Sequence, residues 1–126
     1  MDATTQRWRA GIALIQGGFY LATGIWPLVH LPSFEAVTGP KADGWLVRTV
    51  GVIISVCGAV LMLAGLRRNV GPEAELLGVG NAAGLAGIDI IYVARRRIAP
   101  IYLLDALAEI LIIAAWALAR RRSPSG

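Results

Sequence analysis

Cysteine occurs once in these 126 residues, at Cys57, and histidine once, at His30. Without a second thiol the chain cannot cycle an internal disulfide, so Cys-x-x-Cys oxidoreductase chemistry is excluded, and a lone cysteine inside an apolar block is read as inert packing. A single histidine without partners at ligand spacing gives no metal or haem site, so no metal and no cofactor is expected. There is no Ser-His-Asp set, no HExxH and no Gly-rich phosphate loop; Gly80 and Gly84 belong to helix packing. Charge is scarce as well, at 16% of residues. With 56% hydrophobic residues and a mean hydropathy of +0.64, the chain is too apolar for an ordinary soluble domain.

The apolar residues fall into four blocks of about twenty, the length of helix that crosses a ~30 Å hydrocarbon core. The expected fold is therefore all-α: one integral membrane domain over residues 1–126, an antiparallel bundle of four transmembrane helices. The spans are placed at about 8–29, 45–66, 75–94 and 99–119. The first is longer than a signal-peptide apolar region and lacks an A-x-A site, so it is expected to persist as a span. His30, Pro32, Pro40 and the run TGPKADG interrupt helix between spans one and two, so residues 30–44 are read as a re-entrant or lid loop. The tail at 123–126 is expected to be disordered. Gly51, Ser55 and Ala59 are read as the close-packing face of span two, and span three, rich in glycine and alanine, as gripped on several sides by its neighbours.

The net charge of +4 does not indicate nucleic acid, because the basic residues cluster where the apolar blocks end, as topology signals and lipid contacts do. With the N-terminus inside, seven basic residues (Arg7, Arg9, Arg67, Arg68 and Arg120 to Arg122) lie inside and five (Lys41, Arg48 and Arg95 to Arg97) outside. The positive-inside rule then favours an N-in, C-in protein.

Three carboxylates interrupt the apolar pattern in GIDIIYVARRRIAPIYLLDALAE: Asp89, Asp105 and Glu109. At ~1.5 Å per helical residue, Asp89 and Asp105 lie roughly 9 Å from the interface and Glu109 roughly 15 Å. Asp105 and Glu109 are four residues apart, hence on one helix face, which Ile112 and Trp116 continue. Ionisable groups at such depth cost a few kcal/mol each and mark a functional site by default. Arg48 starts from the same membrane face and is expected to neutralise one of the acids, with Asn81 as a further polar member. Trp26, Trp45, Tyr92 and Tyr102 gather toward the same face, as an interfacial belt or as an aromatic lining.

Two readings follow. In the first, the acids form a ligand- or proton-binding site in a non-enzymatic membrane protein that binds or transports a small cationic or amphipathic ligand, as a homo-oligomer. In the second, an Arg–carboxylate network fixes helix register in an accessory subunit of a larger membrane complex. A membrane enzyme acting on a lipid-like substrate has only the carboxylates in its favour.

The segments TGPKADGWLVRTVG and DIIYVARRRIAPIYLLDALAE resemble those of small four-span bacterial inner-membrane proteins, a group that implies no established activity. More distantly, size and span number are similar to the DoxX-like family, although the cysteine pair of some relatives is missing. The size also resembles the small multidrug resistance transporters, but those carry a glutamate in the first span and this chain has none between Trp8 and Val29.

Overall fold

Two matched rows of small residues zip the first half of the bundle together. In the computed structural model, which describes residues 3–38, 44–96 and 100–121, helix α1 (Ala3–Val29) and helix α3 (Gly44–Leu66) run antiparallel along their length. Ala10, Gly17 and Gly24 of α1 recur every seven residues, as do Gly65, Gly58 and Gly51 of α3, and the two rows meet. A Cβ on Gly17 would lie 2.7 Å from the Gly58 carbonyl oxygen, one on Gly24 would lie 2.8 Å from that of Gly51, and one on Gly65 would lie 2.8 Å from that of Ala10. Backbones this close exclude larger side chains and gain van der Waals contact over the whole seam, which is how membrane helices associate without a hydrophobic driving force.

The other half is built from α4 (Pro72–Ala94) and α5 (Tyr102–Arg121), which pack on each other. The bundle is thus two helix pairs, α1 with α3 and α4 with α5, joined chiefly where α1 meets α5. Four helices, over Thr5–Val29, Gly44–Leu66, Pro72–Ala94 and Tyr102–Ala119, are long and apolar enough to cross a membrane. The protein is an all-α integral membrane bundle, as its sequence pattern predicts.

The element bounds differ from the sequence reading for local reasons. Helix α4 begins at Pro72, because proline at the first helical position gives up an N–H that has no partner there anyway, and Glu73 and Glu75 suit the positive end of the helix dipole. Helix α1 is already helical at Ala3, which carries Arg9 a full turn and more inside it. Between α1 and α3 the chain forms a short helix, α2 (Leu31–Thr38), rather than an irregular loop. Pro32 stands in its first turn, and the His30 ring nitrogen Nδ1 accepts the Ser33 backbone N–H at 3.2 Å. Helices α3 and α4 both close on an arginine of positive φ, Arg68 at 50° and Arg96 at 57°, and at the end of α3 the Asn69 N–H turns back to the Ala64 carbonyl.

Two packing expectations are corrected. Gly51 and Ser55 lie against α1 as expected, but Ala59 is exposed, and the close face of α3 continues through Gly58 and Gly65. Helix α4 is gripped on one side only: Gly78 is tightly approached, whereas a Cβ on Gly80, Gly84 or Gly87 would meet nothing. The tail at 123–126, most of the TGPKADG turn and Arg97 lie outside the described residues.

Candidate functional site

Six polar side chains sit inside the bundle where the two helix pairs meet. Their order is set by a residue that can only donate. The Trp116 indole Nε1–H donates to Gln16 Oε1 at 2.8 Å, which fixes the orientation of the Gln16 amide. Gln16 Nε2 then donates to the Gly78 carbonyl at 2.8 Å and to the Tyr20 hydroxyl at 3.1 Å. With its oxygen accepting from Gln16, Tyr20 turns its own hydrogen to Glu109 Oε1, at 2.8 Å. Trp116, Gln16, Tyr20 and Glu109 are all fully buried. Gly78 makes room for the junction, since a Cβ there would stand 2.7 Å from Gln16 Oε1 and 3.0 Å from Trp116 Nε1. The chain of donors therefore runs one way, from α5 through α1 and back to α5, and it ends on a carboxyl.

Beyond Trp116 the network closes on an ion pair. Arg9, 2% exposed, lies 3.0 Å from the Glu75 carboxylate, donates to the Val70 carbonyl at 3.3 Å and sits 5.5 Å from the centre of the Trp116 ring. This is a buried charge with its partner, its acceptor and an aromatic face provided.

In the other direction Glu109 opens on a cavity of about 680 Å³, within the ordinary range for small-molecule sites. Asp89, Asp105, Glu109, Tyr20, Trp26 and Tyr102 are among its lining residues; most of the rest are apolar, and no described lining residue is basic. Helix α2 contributes Phe34, Val37 and Thr38. It is held there by the Trp26 Nε1–H, which donates to Ser33 Oγ at 2.9 Å, and by the edge-on contact of the Trp26 and Phe34 rings at 5.4 Å. Residues 31–38 thus border the cavity, as a lid would.

Two carboxylate oxygens of residues lining this cavity have no partner among the described residues. Glu109 Oε2 and Asp89 Oδ2 are buried and accept no hydrogen bond, on side chains 0% and 4% exposed. Asp105, half-buried, comes within hydrogen-bonding reach of Asp89 across the α4–α5 seam. A buried acceptor left unsatisfied costs about 1–3 kcal/mol, and more if charged. The arrangement is thus chemically complete only with protons or a cation.

The structure brings together five of the nine residues expected at the site: Asp89, Asp105, Glu109, Trp26 and Tyr102. Arg48 is exposed, does not line the cavity and makes no ion pair with the described residues, so it neutralises none of the acids. Asn81 spends its amide on the Leu77 carbonyl of its own helix, at 2.7 Å. Trp45 and Tyr92 are 68% and 37% exposed on the outer surface, where an interfacial belt would place them. The sequence reading missed Gln16 and Tyr20 altogether, took Arg9 for a flanking topology signal and read Trp116 only as part of an apolar stripe. The signal was present: Gln16 and Tyr20 are hydrogen-bonding side chains four residues apart in the middle of a membrane span. Among the described residues no group of three or more His, Cys, Asp or Glu is placed to hold a metal ion.

No protein-family model matches the chain, and no curated protein or solved structure does either. The DoxX-like resemblance therefore rests on size and span number alone.

Proposed function

We propose that this integral membrane protein binds a small amphipathic cation in the acid-floored cavity, in competition with protons on Glu109, Asp89 and Asp105. One observation carries the reading: Glu109 and Asp89, each with a buried carboxylate oxygen that has no partner among the described residues, are lining residues of an apolar cavity whose described lining holds no basic residue. An ammonium or phosphonium centre would satisfy the acids, while its hydrocarbon body would lie against Phe19, Ile54 and Leu85. The ligand would enter beside α2, between Phe34 and Tyr102. The role proposed is non-enzymatic. Inward passage past Glu109 is opposed by the filled Tyr20–Gln16–Trp116 chain and by the Arg9 charge behind it.

The test uses two ions of nearly equal shape and opposite charge. Protein in lipid nanodiscs is expected to bind tetraphenylphosphonium saturably and tetraphenylborate not at all, and Glu109→Gln is expected to abolish the phosphonium binding. Equal binding of both ions would reduce the cavity to an apolar solvent pocket.

The second reading, an accessory subunit or homo-oligomer, is favoured by a separate observation. Gly80, Ala83 and Gly84 form an exposed small-residue stripe on α4 that no helix of this chain meets, the type of surface on which membrane helices associate. Under that reading Gly84→Leu would shift the oligomeric state in detergent while leaving the acid cavity intact.

A further inference from the structure

A second cavity, of about 540 Å³, lies at the opposite end of the bundle from the acids, between the start of α1 and the end of α5. Its floor is made of small residues, Gly11, Ala115 and Ala119, and its walls of Ile15 and Leu118. A Cβ on Gly11 would meet nothing, so this glycine is not serving a helix contact; the space above it is open. From Arg7 to Ile15 the groove follows α1 for roughly 12 Å at ~1.5 Å per residue, enough for a good part of an acyl chain.

Arg7 and Trp8 stand at its outer end. The two arginines of this turn have different fates. Arg9 points inward and is paired with Glu75, whereas Arg7 is exposed and makes no ion pair with the described residues. We propose that this groove is a site for an anionic phospholipid, with one acyl chain along Gly11 and Ala115 and the phosphate on the Arg7 guanidinium. Charge complementarity is carried by Arg7 itself: Arg67 and Arg68, exposed at the end of α3, share this membrane face but do not line the groove. A zwitterionic choline lipid brings its own cation to the same place and gains less. A second copy of the chain fits poorly, because a two-fold axis along the membrane normal would set Arg7 against its own counterpart at the same depth.

The experiment is native mass spectrometry of the detergent-purified protein titrated with equal amounts of phosphatidylglycerol and phosphatidylcholine of identical acyl chains. Wild type is expected to retain one phosphatidylglycerol with about fivefold preference, the worth of one basic side chain near an anionic lipid surface. Arg7→Gln loses the preference. Gly11→Leu keeps Arg7 but fills the groove and loses the retained lipid, and Leu118→Trp fills it from the other wall with the same result. Arg67→Gln/Arg68→Gln removes two charges from the same face outside the groove and leaves retention unchanged. The proposal is overturned if both groove-filling variants hold phosphatidylglycerol as wild type does, if Arg7→Gln keeps the preference, or if wild type is a dimer that Gly11→Leu dissociates.

Discussion

The Tyr20 hydroxyl donates to Glu109 Oε1 at 2.8 Å across 89 residues of chain, and Glu109 Oε2 on the same carboxyl has no partner at all. One oxygen of this side chain is thus satisfied and the other is left buried without a donor among the described residues. Tyr20 accepts from Gln16 and donates to Glu109, so the donor chain ends on this carboxyl. The donor chain behind Glu109 is a buried support that orders Trp116, Gln16 and Tyr20.

Tyr20→Phe removes that support without changing the shape of the ring. Both Glu109 oxygens then lack donors, and Gln16 Nε2 keeps only the Gly78 carbonyl. The expected loss of stability is roughly 1–3 kcal/mol, the cost of stranding a buried polar group. Unfolding in mixed detergent micelles measures it; a variant as stable as wild type would show that the bond contributes nothing.

The Arg9–Glu75 pair gives a different pattern. Removing Glu75 takes the carboxylate from the buried Arg9 guanidinium, and Glu75→Leu alone is expected to cost about 3–5 kcal/mol. The double variant with Arg9→Met is expected to recover most of that loss, since two apolar side chains leave no buried charge. A double-mutant cycle in detergent checks the recovery, and purely additive losses would refute it.

Glycines in this chain divide by what surrounds them. A methyl group on Gly58 would meet the Gly17 carbonyl oxygen at 2.8 Å and the Leu21 nitrogen at 2.9 Å, both rigid backbone atoms. Gly58→Ala therefore has to push α1 and α3 apart, and it is expected to lower the melting temperature clearly. Gly84→Ala, whose methyl group meets nothing, is expected to leave it unchanged. Equal effects of the two substitutions would mean that the α1–α3 seam is looser than described.

The fold was legible because it is written in runs of about twenty apolar residues broken by charge, and the length of such a run is tied to membrane thickness. The acids were legible because any carboxylate in those runs stands out. What depth along a helix cannot supply is direction around it. Arg48 starts span two at the right height for the acids, yet Leu46, Val47, Val50 and Gly51 are the residues of that stretch that line the cavity, and Arg48 is exposed outside it. Arg9 was misread for a related reason: with the helix taken to begin near Trp8, an arginine beside it belongs at the interface, whereas the extra turns of α1 bring it under Trp116. The seven-residue spacing of Ala10, Gly17 and Gly24 could have been read, but small residues at four-residue spacing, such as Gly51 and Ser55, compete with it in the same helices. Gln16 and Tyr20 were passed over because neither carries a charge, and an uncharged polar side chain among apolar ones gives a weaker signal than Glu109.

The central claim is that unpartnered carboxyls inside the membrane bind a cation in exchange for protons. The most direct test is a calorimetric titration of the nanodisc-embedded protein with tetraphenylphosphonium from pH 5 to pH 9, for wild type, Glu109→Gln and Asp89→Asn. Acid protonates the carboxyls and removes the charge that holds the ligand, so wild-type affinity is predicted to fall as the pH is lowered. Binding is predicted to disappear in Glu109→Gln and to weaken in Asp89→Asn. Affinity that is independent of pH and the same in all three proteins would contradict the claim and leave the acids a purely structural role.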